Sequence, residues 1–142
     1  MTPGECAARR VTVLLVEDED ELREIVGDLL EDEGYDVIPA GNGKQALDYL
    51  RDAHEVPAVI ILDLMLPILS GWECLRVIHS EERLASVPVL VVTAVGRDRP
   101  AGVGLLLKKP FGIFDLLEAV RHLSGGGPPG ALPPTGGASH GY

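Results

Sequence analysis

At 142 residues the chain is long enough for one domain with a substantial core, and its formal net charge of −10, from 22 acidic against 12 basic residues, opposes direct nucleic-acid binding. Hydrophobic residues make up 46% of the sequence, yet no apolar run reaches the ~18 residues of a membrane span. The first ten residues lack the apolar segment of a secretory signal, so no membrane association and a cytoplasmic location are expected.

Residues 1–10 read as a flexible N-terminus. Residues 11–17 (VTVLLVE) are β-branched and Leu-rich and stop abruptly at acids, the pattern of a buried parallel strand. Leu22, Ile25, Val26, Leu29 and Leu30 then fall at helical spacing, with Gly34 as the stop signal. A second strand is expected over 35–39. A second helix follows through Ala46, Leu47 and Leu50, capped by Asn42, and a wholly apolar third strand over 58–63. After a loop at 64–70 come a third helix with Trp72, Leu75, Val77 and Ile78, a fourth strand over 89–93 and a fifth over 103–107. A last helix with Ile113, Leu116, Leu117 and Val120 ends near Leu123. Such alternation predicts an α/β fold, a doubly wound five-stranded parallel sheet with helices on both faces. From Ser124 onward Gly and Pro dominate, and 124–142 reads as a disordered tail.

In doubly wound sheets ligands bind outside the carboxyl ends of the strands. There the sequence places Glu17 and Asp18 after strand one, Asp63 after strand three, Thr93 at the end of strand four and Lys109 after strand five. Taken singly each has a plainer role: helix capping for the acidic pair, an exposed strand end for Asp63, an ordinary strand residue for Thr93, a solvated turn for Lys109. Together they form three acids, a hydroxyl and an amine on one edge. Three converging carboxylates repel one another unless a cation intervenes, and an all-oxygen donor set suits Mg²⁺ better than zinc. Phosphoryl transfer, which needs charge neutralisation and positioning more than covalent help, is the chemistry this set fits. Cys6 and Cys74 show no metal or redox spacing, and His54, His79, His122 and His140 are scattered.

The segments VLLVEDED, ILDLMLPILSGWE, VVTA and KKPF, in this order over 11–123, resemble the signature segments of response-regulator receiver domains, the phospho-accepting modules of bacterial two-component signalling. The resemblance implies a flavodoxin-like strand order 2-1-3-4-5. It makes Asp63 the phospho-acceptor, and it gives Mg²⁺ the ligands Asp18, Asp63 and the Met65 carbonyl, with Glu17 acting through a metal-bound water. Thr93 and Lys109 would contact the phosphoryl group, Lys109–Pro110 would be cis, and Pro67 and Gly71 would shape the loop after the acceptor. The donor would be a sensor histidine kinase or phosphotransfer protein in a phosphorelay, and the output a downstream protein target. The chain would then not be an enzyme beyond its own phosphorylation and acyl-phosphate hydrolysis. Met65 and Val95, at positions the family associates with hydrolysis rate, are apolar, so slow hydrolysis is expected.

Two departures stand out. The aromatic that the family carries three residues before the lysine is here Leu106, and only residues 94–102 (AVGRDRPAG) separate strands four and five, too few for an ordinary crossover. Helix four of the family pattern is therefore expected to be missing or reduced to about one turn. A stand-alone phospho-receiver is the leading expectation, because no further domain follows. The alternative is a phosphate-independent pseudo-receiver acting as a protein-interaction adaptor. A haloacid-dehalogenase-type phosphatase, suggested by Asp18-Glu19-Asp20, leaves the ILDLMLP segment unexplained.

Overall fold

The computed structural model describes residues 11–66, 68–94 and 104–125. In chain order these form β1 (Val11–Val16), α1 (Asp20–Asp32), β2 (Tyr35–Ala40), α2 (Gly43–Asp52), β3 (Val59–Asp63), α3 (Gly71–Ser80), β4 (Val89–Thr93), β5 (Leu105–Lys108) and α4 (Ile113–Leu123). All pairings are parallel, in the order β2-β1-β3-β4-β5. The doubly wound, flavodoxin-like expectation is met.

Why the central strands read as unbroken apolar runs is clear from their two faces. Leu14, Val16, Ile60, Leu62, Val89 and Val91 pack with Ala46, Leu47 and Leu50 of α2 and Cys74, Leu75 and Ile78 of α3. Val13, Leu15, Val59, Ile61, Leu90 and Val92 pack with Val26 and Leu30 of α1 and Leu116, Ala119 and Val120 of α4. Alternate residues thus enter opposite cores, and with helices on both faces no polar alternation survives. β5, at the sheet edge, is only partly buried along Leu105, Leu106 and Leu107. Its expected start at 103 lies outside the described residues, as does all but Ala94 of the 94–102 segment expected to carry a short or missing helix; among the described residues there are four helices. The terminal segments 1–10 and 126–142 lie outside them too.

Local signals place the helices. Asn42 caps α2 through a bond from the Gln45 amide at 2.9 Å. A capping box joins Ser70 and Glu73 at the start of α3, each side chain accepting the other residue's backbone N–H. Ser124, where the tail was expected to begin, instead ends α4, its amide donating to Val120 at 2.9 Å. Ile25 and Trp72, both on the apolar helical pattern, are exposed. Leu84, in the turn after α3, is fully buried, and Arg83 beside it donates to the carbonyls of Leu50 and Ala53 at the end of α2.

Candidate functional site

β1, β3 and β5 deliver their carboxyl ends to one edge, and the turns that follow carry the site. Glu17, Asp18, Glu19, Asp63, Met65, Ala94 and Lys109 line a cleft of about 390 Å³. Glu17 and Asp63 are buried, Asp18 is exposed, and one carboxylate oxygen from each of the three lies within 4.8 Å of the others. Among the described residues this is the only such cluster of potential metal ligands.

The Lys109 amine holds two of these acids together. Its Nζ donates to Glu17 Oε1 at 2.9 Å and to Asp63 Oδ2 at 2.8 Å. Burial disfavours the ammonium, but the hydrogen bonds and charges of Asp63 and Glu17 outweigh that and leave the Lys109 pKa raised. Burial pushes the Glu17 carboxyl up, against the opposing hydrogen bonds from Lys109 and the Glu19 amide. The charge of Asp63 adds to that rise, a smaller contribution than burial.

The other bonds fix orientation. Asp63 Oδ1 accepts the Met65 amide at 2.9 Å, so the two oxygens of this carboxylate face different donors. Glu17 Oε2 accepts the Glu19 amide at 3.1 Å just ahead of α1, whose N-cap residue, Glu19, makes no side-chain capping bond. The Lys109 amide donates to the Thr93 carbonyl at 2.9 Å, tying the turn after β5 to the end of β4, and the Lys109–Pro110 bond is cis. Thr93 is fully buried, one residue behind Ala94 in the cleft wall.

The loop after Asp63 is tightly constrained. Gly71 donates its amide to the Leu64 carbonyl at 3.1 Å, and a Cβ there would collide with the Asp63 carbonyl and lie 2.5 Å from Leu64 Cα. Backbone cannot move aside as a side-chain tip can. Gly71→Ala should therefore lower stability by about 3 kcal/mol, despite the ~1 kcal/mol that alanine ordinarily gains over glycine in a helix. Urea unfolding checks this, and an unchanged midpoint would show that the loop yields freely. Ile68 sits at φ 71, a conformation β-branched residues rarely adopt. Pro67 lies outside the described residues.

Sequence reasoning did not single out Arg23. Its Nη1 donates to the Glu17 carbonyl at 2.8 Å and its Nη2 to Asp20 Oδ1 at 2.7 Å. An Arg three residues after an acid at a helix start was the available signal, but a bond to a backbone carbonyl leaves no mark in the sequence. Cys74 is buried against the loop, its thiol pushed up to about 11 by burial and by the charge of Glu73, which makes it a poor nucleophile.

A parallel strand order of 2-1-3-4-5 with three acids and a lysine gathered at its carboxyl edge defines a doubly wound, flavodoxin-like α/β module, and comparison with known proteins narrows the class. Residues 13–121 match the family model of the response regulator receiver domain. The chain belongs to that family. It is 38% identical over 123 residues to the response regulator Rre1 of Synechocystis, covering 82% of this chain and 52% of that protein. It is 32% identical over 120 residues to the polar-differentiation response regulator DivK of Brucella ovis, covering 80% of this chain and 96% of that protein. The chain thus spans about half the length of Rre1 but nearly all of DivK. Among solved structures, the receiver domain of sensor histidine kinase PA1611 from Pseudomonas aeruginosa, with a magnesium ion coordinated in its active site cleft, superposes with a TM-score of 0.74. The two are 27% identical, over 82% of this chain and 99% of that one. The chemotaxis response regulator CheY4 of Vibrio cholerae gives the same TM-score of 0.74 at 27% identity, over 81% and 99%. No helix among the described residues is long and apolar enough to cross a membrane.

Proposed function

We propose that the chain is a phospho-receiver in which Asp63 accepts a phosphoryl group, in the presence of Mg²⁺, from a histidine kinase or phosphotransfer protein. The observation that carries this reading is the Lys109 amine set between Glu17 and Asp63 at 2.9 and 2.8 Å, in a cleft that also holds Asp18. A structural ion pair needs one carboxylate; a lysine shared by two acids beside a third, at an open cleft, fits a site arranged for a phosphoryl group and a divalent cation.

The donor set fits Mg²⁺: three carboxylates and a nearby backbone carbonyl are hard oxygen ligands, with no thiol or imidazole in the cluster. Asp18, Asp63 and the Met65 carbonyl would hold the ion, with Glu17 acting through a bound water. When bound, Mg²⁺ would supply neutralisation of the charge on the carboxylates and the phosphoryl oxygens.

An Asp63 carboxylate oxygen attacks phosphorus as the P–N bond to the donor imidazole breaks. The bonding pair leaves with the imidazole nitrogen, which is reprotonated from solvent. Lys109 meets the transferred negative charge with a fixed ammonium, and the Met65 amide restrains carboxylate rotation. The Thr93 hydroxyl is the group assigned to bond the phosphoryl oxygens afterwards. The apolar Met65 side chain offers an attacking water no hydrogen bond, which supports a long-lived acyl phosphate. Downstream, a protein target would read the phosphorylated state.

One observation favours the phosphate-independent adaptor for the output step. Leu106, where relatives are expected to carry an aromatic, packs on the core shared with α2 and α3 and has no ring to rotate inward. Calorimetric Mg²⁺ titration separates the readings at the site itself. A single Mg²⁺ site lost in Asp18→Ala is expected, and no binding in the unmodified chain would favour the adaptor.

A further inference from the structure

We infer that Arg23 is a positioning residue for the acidic pair, a role that rests on reading Glu17 and Asp18 as Mg²⁺ ligands. At Glu17 the chain leaves the sheet. The Glu17 amide still pairs with the Ala40 carbonyl at 3.0 Å, but its own carbonyl accepts Arg23 Nη1 at 2.8 Å, a guanidinium standing where a ladder amide would otherwise donate. That carbonyl and the Asp18 amide share one rigid peptide plane. Gripping the carbonyl therefore sets the direction from which Asp18 enters the cleft, and Asp18 is the exposed member of the ligand cluster.

Arg23 is itself well anchored. Its amide makes the first bond of α1, to the Glu19 carbonyl at 2.9 Å, and its side chain is only 24% exposed. The guanidinium lies against Gly41 at the end of β2, where an added Cβ would stand 3.4 Å from Nη1. The partner carboxylate of Asp20 is 90% exposed, so that ion pair contributes little, and the bond to the Glu17 carbonyl is the consequential one. One planar fork thus spans the strand end, the helix start and the β2–α2 turn. Lysine, a point donor on a flexible stem, cannot reproduce that.

The sign of the effect distinguishes positioning from simple charge. Removing a cation beside a cation site should tighten Mg²⁺ binding on Coulombic grounds alone. Positioning predicts the opposite. In calorimetric Mg²⁺ titrations of the full chain, well below the melting temperature and with folding verified by circular dichroism, Arg23→Ala should raise the Mg²⁺ Kd at least fivefold. Arg23→Lys, which keeps the charge and one donor, should fall between it and wild type, about twofold or more above the latter. A folded Arg23→Ala variant that binds Mg²⁺ as tightly as wild type or more so overturns the inference. If the alanine variant does not fold, a lysine variant with wild-type affinity overturns it. Absence of Mg²⁺ binding in the wild type removes both the inference and the reading beneath it, whereas wild-type binding with unaltered variants removes the inference alone.

Discussion

Lys109→Met should slow phosphoryl transfer to Asp63 by about 100-fold, the loss expected when a fixed donor to developing charge is removed. It should also destabilise the metal-free protein by about 3 kcal/mol, because two buried carboxylates lose the one amine between them and are left uncompensated. The Lys109 pKa is raised in the folded state, so its contribution is fully present below the ordinary value of 10.5 and fades only as pH rises through the higher folded value. The penalty should therefore be undiminished at neutral pH. Mg²⁺ replaces part of the missing positive charge and should raise the melting temperature of the variant more than that of the wild type. Initial rates with acetyl phosphate, and urea unfolding in a chelator, check both parts. Lys44→Met is the comparison: its pair with Asp48 at 3.0 Å is exposed and should be worth less than about 0.5 kcal/mol. Equal losses in the two variants would mean that the Lys109 bridge is an ordinary surface pair.

Glu17→Gln should act in the opposite direction on stability. Burial raises the Glu17 pKa above 4.5, so its carboxylate is less at ease in the folded than in the unfolded chain. A group with a raised folded pKa contributes stability that is present below the unfolded value and lost as pH rises through the folded one. The neutral isostere removes that loss. In a chelator at pH 7 the variant should melt at a higher temperature than wild type, with the advantage shrinking as pH falls toward 4.5 and absent below it. With Mg²⁺ the order should reverse or close, since wild type gains from the ion through an acid that the variant lacks. A lower melting temperature for Glu17→Gln in chelator at pH 7 would show that the Lys109 bond outweighs burial. Gain in stability with loss of metal binding is the expected signature of a site held strained for function.

The fold was legible because burial on both faces wrote each central strand as a continuous apolar run, and because the strand ends are marked by Glu17, Asp63, Thr93 and Lys109, whose chemistry does not suit a core. What remained hidden was relational. Strand order put Lys109 on the same edge as the acids, but did not tell that it divides itself between Glu17 and Asp63. Helical periodicity counted Ile25 and Trp72 with the apolar face, although both lie exposed at its margin, where a few tens of degrees decide burial. Leu84 escaped because a turn has no period, and its burial comes from the core it shares with Leu50 of α2, more than thirty residues away in sequence. Gly71 was recognisable as a loop glycine; the close approach of the Asp63 and Leu64 backbone that requires it is a three-dimensional fact. Arg23 shows the same limit, since its partner is a carbonyl that every residue possesses.

Intact mass of wild type and Asp63→Ala, after incubation with acetyl phosphate and Mg²⁺ and again with a chelator, tests the central claim most directly. The wild type should gain one phosphoryl group only when Mg²⁺ is present, and Asp63→Ala should gain none. A modified alanine variant, or a wild type that binds Mg²⁺ yet remains unmodified by acetyl phosphate and by phosphohistidine donors alike, would contradict it.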